Sequence, residues 1–253
     1  MPFKDRPEDF DAEDPEAAEL DALRGRHEVN ELGGPAQLVA LLSSADPQVL
    51  CDCAAALRNL ALDASIADSL LPFGALPQLM GLLEHDDDAV KAEMAGVLMN
   101  VCATSESGRA ELSVTQLLPA LLKVIASSVA TSDNPDEPEV RKNSLGALNN
   151  LMLDEDAAKS LRPEGGIEIL TNVLREEQNS EARLEDAEHA LLRALQVDVR
   201  AGQAFVDCDG LPVLVAIVAS PNEELQARVC TFIYEVIDQV RDLPRPPSIP
   251  PHP

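Results

Sequence analysis

Hydrophobic positions along this chain recur in blocks with a helical period, and the blocks themselves repeat. Three segments mark the recurrence: AALRNL ending at Leu60, GVLMNV ending at Val101 and GALNNL ending at Leu151. Their asparagines, Asn59, Asn100 and Asn150, lie 41 and then 50 residues apart. A second apolar pattern precedes each: GPAQLVALL to Leu42, ALPQLMGLL to Leu83 and LLPALLKVI to Ile125. Two further copies, GIEILTNVL to Leu174 and GLPVLVAIV to Val218, are followed by ALLRAL to Leu195 and TFIYEV to Val236.

Counting from positions 59, 100, 150, 194 and 235 exposes the period. The residues at −10, −6, −3, −2 and +1 are Val49, Cys53, Ala56, Leu57 and Leu60 in the first unit. They are Val90, Met94, Val97, Leu98 and Val101 in the second, and Val140, Ser144, Ala147, Leu148 and Leu151 in the third. The fourth unit gives Leu184, Glu188, Leu191, Leu192 and Leu195, the fifth Leu225, Val229, Phe232, Ile233 and Val236. Only Ser144 and Glu188 interrupt an apolar stripe with helical spacing. The shorter upstream helix carries its own stripe, Leu38, Leu41 and Leu42 recurring as Leu79, Leu82 and Leu83. Before it comes a still shorter helix ending near Gly, as in ASIADSLLPFG and AAKSLRPEGG, where Gly supplies the corner.

Three helices per unit of about 41 residues, none able to bury its apolar face alone, predict a solenoid. The expected fold class is therefore all-α, with five three-helix units over residues 21–63, 64–105, 106–155, 156–199 and 200–240. Residues 1–20, acidic and Pro-punctuated, are expected to be a disordered tail, and residues 241–253 a Pro-rich one.

The run G-A-L-P-Q-L-M-G-L-L (Gly74–Leu83), together with A-L-R-N-L-A (Ala56–Ala61), resembles the armadillo repeat, and the resemblance covers roughly residues 32–240. It implies a right-handed superhelix whose third helices line a concave groove that holds extended peptides or partner domains. Family members that read basic import signals carry Trp four residues before the Asn. Here those positions are Ala55, Gly96, Gly146, Ala190 and Thr231, and the chain has no Trp, so aromatic slots for Lys stems are missing. The Asn is itself replaced by Ala194 and Glu235 in the last two units.

Charge narrows the partners. A net charge of −26 repels nucleic-acid phosphates and anionic lipid, so no nucleic acid and no membrane insertion are expected, while a basic protein segment would be attracted. The groove face follows from helix geometry, since residues at −7, −4 and +4 share a side with the Asn. Asp52, Glu93 and Asn143 stand at −7, Asp63 and Asp154 at +4, with small residues at −4 leaving the floor open. With Asn59, Asn100, Asn150 and Glu235 they form the expected partner-binding set. The asparagines have two roles open to them: pairing with an extended backbone, or fixing repeat packing through neighbouring helix ends.

Five scattered cysteines, with Cys51 and Cys53 pointing apart on a helix, fit free thiols in a reducing compartment, cytoplasmic or nuclear. The four His lie far apart and no phosphate loop or nucleophile constellation is present, so no enzyme, cofactor or metal site is expected. The run His85–Asp88 falls at a turn, where Asp caps the next helix. Residues 127–138 form a longer loop, and the Pro period from Arg241 to Pro253 matches an SH3-type ligand. Three functions fit this pattern: an interaction scaffold, a nucleotide-exchange regulator of a small GTPase or heat-shock chaperone, and a structural subunit of a large assembly.

Overall fold

The computed structural model describes residues 15–113, 117–128, 137–176 and 181–241. Among these are fifteen α-helices and no strand. They fall into five triplets: α1 (Pro15–Glu31), α2 (Gly34–Leu41), α3 (Pro47–Leu60); α4 (Ala64–Leu70), α5 (Ala75–Leu82), α6 (Asp88–Thr104); α7 (Glu106–Ser113), α8 (Leu117–Ser127), α9 (Glu137–Leu151); α10 (Glu155–Ser160), α11 (Gly166–Glu176), α12 (Glu181–Val197); α13 (Ala201–Asp207), α14 (Gly210–Val218), α15 (Glu223–Arg241). The third helices stack in chain order, α3 on α6, α6 on α9, α9 on α12 and α12 on α15.

Local chemistry sets the boundaries. Asp46, Asp63, Asp87 and Asp154 each precede a helix in extended conformation and accept hydrogen bonds from its first free N–H groups. The Asp-rich run at 86–88 thus does the work of a cap: Asp87 accepts from Ala89 and Val90. The corner before the second helix requires positive φ, and Gly33, Gly74 and Gly165 supply it at 78°, 67° and 75°. In the last triplet Asp209 takes the same conformation at 57°.

Helix α1 begins at Pro15, inside the stretch expected to be disordered. Its sequence, PEAAELDALRGRHEVNE, has little apolar content but is rich in strong helix formers, which a search for apolar stripes passes over. Residues 1–14, 129–136 and 242–253 lie outside the described residues, and with them most of the first tail, the long loop and the Pro-period tail.

One apolar core runs from Val39 to Val236. Leu57, Leu98 and Leu148 sit in it fully buried. In the fourth triplet the buried residue is Leu191, while Leu192 is only partly covered. The register there is one residue shorter than the apolar stripe implied. Ala190 and Leu191, not Leu191 and Leu192, take the places of Ala147 and Leu148, and Ala194 is fully buried. Arg193 therefore stands where Asn150 stands one unit earlier. In the fifth triplet Phe232 and Val236 are buried but Ile237 is 55% exposed, because no further third helix covers it among the described residues. No single described helix is long and apolar enough to cross a membrane.

Candidate partner-binding groove

The third helices α3, α6, α9, α12 and α15 present one continuous row of polar side chains. With the corrected register the ladder position carries Asn59, Asn100, Asn150, Arg193 and Glu235. Seven residues earlier stand Asp52, Glu93, Asn143, Asp186 and Arg228; four earlier stand Ala55, Gly96, Gly146, His189 and Thr231. Ala190, read from the sequence as a groove-floor position of the fourth unit, is buried, as is Ala187.

The asparagines join one repeat to the next. Asn100 Nδ2 donates to Arg58 O at 2.9 Å, and Asn150 Nδ2 donates to Met99 O at 3.1 Å. Asn143 does the same from the −7 position, donating to Ala92 O at 2.9 Å while nearly buried. Thr104 Oγ1 donates to Ala61 O at 2.8 Å, and Gln239 Nε2 donates to Leu195 O. Arg58 and Ala61 lie at the C-terminal end of α3, whose last carbonyls lack helical partners, so these bonds satisfy groups that would otherwise be orphaned. Asn59, with no third helix before it among the described residues, is exposed.

Two expectations change in the structure. Asp63 and Asp154 are helix caps: Asp63 accepts from Ser65 and Ile66, Asp154 from Asp156 and Ala157. The Ser65 hydroxyl holds the Asp63 carboxyl below the usual carboxylate range, helped by those N–H groups and by His27 at 3.2 Å. Burial pushes the Asp154 carboxyl up, but the Ser113 hydroxyl and the cap N–H groups outweigh it and bring it down. The floor at −4, moreover, is filled from the preceding repeat. A Cβ on Gly96 would meet Arg58 Cδ at 2.9 Å, and one on Gly146 would meet Met99 Sδ at 2.6 Å. Glycine is small there because the side chain just before each Asn lies across it.

The electrostatics vary along the row. Asp52 is exposed and accepts from the Gln48 amide at 2.9 Å. Glu93 faces the Arg58 guanidinium at 3.4 Å. In the fourth unit Asp186 accepts from Asn149 Nδ2 at 3.0 Å, and burial pushes its carboxyl above the usual range despite that bond. Glu188, almost wholly buried, is likewise pushed up by burial and opposed by Arg228 at 3.3 Å. Arg228 is further ringed by Glu185 and Glu224. Arg193 is exposed and makes no ion pair among the described residues.

Asn149, Asp186, His189 and Arg193 were not in the expected set. The signal that finds them is the Ala-Leu pair two to three residues before the ladder position, 56–57, 147–148 and 190–191, which fixes the fourth unit where hydrophobicity alone does not. Among the described residues no group of three His, Cys, Asp or Glu side chains could hold a metal ion.

With this geometry, similarity to known proteins becomes specific. The armadillo/beta-catenin-like repeat pattern matches residues 24–62, which span α2 and α3. An engineered protein from a structural genomics consortium superposes with a TM-score of 0.73 at 25% identity, covering 85% of this chain and 83% of that one. A designed armadillo repeat protein in complex with the peptide (KR)4 superposes at 0.72 with 22% identity, covering 83% and 85%. The fold is an armadillo-type helical solenoid, and residues 24–62 match the repeat itself. In sequence it is similar to the splicing regulator ARVCF of Homo sapiens, 34% identical over 110 residues, 43% of this chain. The mouse counterpart matches to the same extent. The aligned region spans only 11% of the human relative's length.

Proposed function

We propose that this chain is a protein-interaction scaffold that holds an extended segment of a partner in the concave groove formed by α3, α6, α9, α12 and α15. The observation that carries the reading is the unbroken polar row on stacked third helices, in which Asn100 and Asn150 spend one amide proton on packing and keep Oδ1 as an acceptor. A row of acceptors at the repeat spacing suits the N–H groups of an extended backbone. Exposed Asp52 and half-buried Glu93 favour basic side chains at the α3–α6 end. The designed armadillo protein of the same fold, in complex with (KR)4, supports this mode of use.

Fluorescence anisotropy with labelled (KR)4 and the full chain tests it. Binding is expected at low ionic strength, weakening as salt rises. Asn59→Ala and Asp52→Asn should each weaken it, while Asp207→Asn on α13, outside this row, should not. Absence of binding, or equal sensitivity to Asp207→Asn, would overturn the groove as the site.

A further inference from the structure

The groove changes sign between the third and fourth repeats. A cleft of about 370 Å³ opens there between α9 and α12. One wall carries Arg193 and His189, the other Asn149 and Asn150, with Leu153 and Leu192 as its apolar part. No carboxylate lines it, in a chain of net charge −26. The nearest acid on the same helix face, Asp186, is turned to Asn149 and partly buried. Downstream, Arg228 is already surrounded by Glu185, Glu188 and Glu224, so Arg193 is the cation of this row with no carboxylate beside it among the described residues.

We infer that this cleft is a carboxylate-binding subsite, taking one Asp or Glu side chain of the partner segment held in the groove. Arg193 offers a planar fork of N–H donors matched to a carboxylate, and His189 offers a further donor. Asn149 and Asn150 each keep one amide proton beyond the bond already made to Asp186 or Met99. Leu153, half exposed, gives the methylene stem of the ligand side chain an apolar contact. Third helices pack about 10 Å apart, so α6 and α12 are about 20 Å apart and an extended chain crosses that span in about six residues. The recognised segment is therefore bipolar: basic side chains against Asp52 and Glu93, and an acidic one against Arg193 about six residues beyond the Glu93 contact.

The inference rests on the groove reading, and the experiment separates the two. Two labelled peptides are titrated against the full chain: Lys-Arg-Lys-Arg-Gly-Ser-Gly-Ser-Glu-Glu and the same peptide ending in Gln-Gln. The Glu peptide should bind about five- to tenfold more tightly, the worth of one charge-assisted pair. Arg193→Glu should abolish or reverse that preference, and Arg193→Gln should remove it. The exposed, unpaired position of Arg193 keeps both variants folded, which circular dichroism verifies. Equal binding of the two peptides, or a preference that survives Arg193→Glu, overturns the subsite and leaves the groove standing. Failure of every peptide to bind, (KR)4 included, overturns both.

Discussion

The side-chain amide of Asn150 donates to the main-chain oxygen of Met99, and one repeat earlier Asn100 bonds Arg58 in the same way. The ladder thus stitches α6 to the carbonyls of α3 and α9 to those of α6. Asn59 stands at the same position without such a bond and is exposed. Asn100→Ala should therefore cost about 1–2 kcal/mol, since it strips the Arg58 carbonyl of its side-chain partner. Asn59→Ala should stay within about 0.5 kcal/mol of the parent. Urea denaturation decides it, and equal losses for the two variants would remove the packing role.

The corners before the second helices carry opposite predictions. Asp209 bears a Cβ at φ 57°, where Gly33, Gly74 and Gly165 stand at the other described corners. Asp209→Gly should raise stability by roughly 0.5–1 kcal/mol. Gly165→Ala, at φ 75°, should lower it by about 1 kcal/mol. Gly166→Ala should cost more, about 1–3 kcal/mol, because its Cβ would strike Leu161, which is fully buried. Thermal midpoints rank the three, and an unchanged Gly166→Ala would show that Leu161 moves freely.

How much of this was legible in the sequence depends on what each residue's pattern encodes. The helical period at Leu57, Leu98 and Leu148 was readable because burial there demands apolar side chains one helical turn apart. The register of the fourth unit was not. Leu191, Leu192 and Leu195 satisfy the same apolar stripe in two phases, and the buried alanines Ala190 and Ala194 carry too little hydrophobic signal to choose between them. The site suffered in the same way, since that one-residue slip hid His189 and Arg193. Asp63 and Asp154 misled for another reason: a residue at +4 shares the Asn face only while the helix continues, and at both places the next helix begins there.

The thiols provide a probe of core integrity. Cys230 is exposed, Cys51 and Cys208 are partly covered, and Cys53 and Cys102 are buried. Burial pushes the Cys53 thiol to about 11 and the Cys102 thiol to about 12. Both are therefore protonated and shielded at pH 8, and the thiolate is the reactive form. Ellman's reagent should modify Cys230 first, with Cys53 and Cys102 reacting only in denaturant. Mass spectrometry of native protein labelled at Cys102 would contradict the packing of α6 between α3 and α9.

Acid should act on Asp154 and Asp186 in opposite directions. The Asp154 carboxyl lies below its ordinary range when folded, so its stabilisation is present above the unfolded value and disappears as pH falls through the folded one. Asp154→Ala should cost about 1 kcal/mol near neutrality, as for a lost cap, and progressively less in acid. The Asp186 carboxyl lies above its ordinary range, chiefly through burial, so the folded chain binds that proton more tightly than the unfolded one. Its ionisation then opposes folding near neutrality, and the penalty fades as pH falls through the raised value. Asp186→Asn keeps an oxygen for the Asn149 amide while removing the charge. It should raise the thermal midpoint near neutrality, with the gain shrinking towards the ordinary carboxylate range. A midpoint that drops near neutrality, with the loss shrinking as pH falls, would instead mean that α9 and α12 require the Asp186 charge.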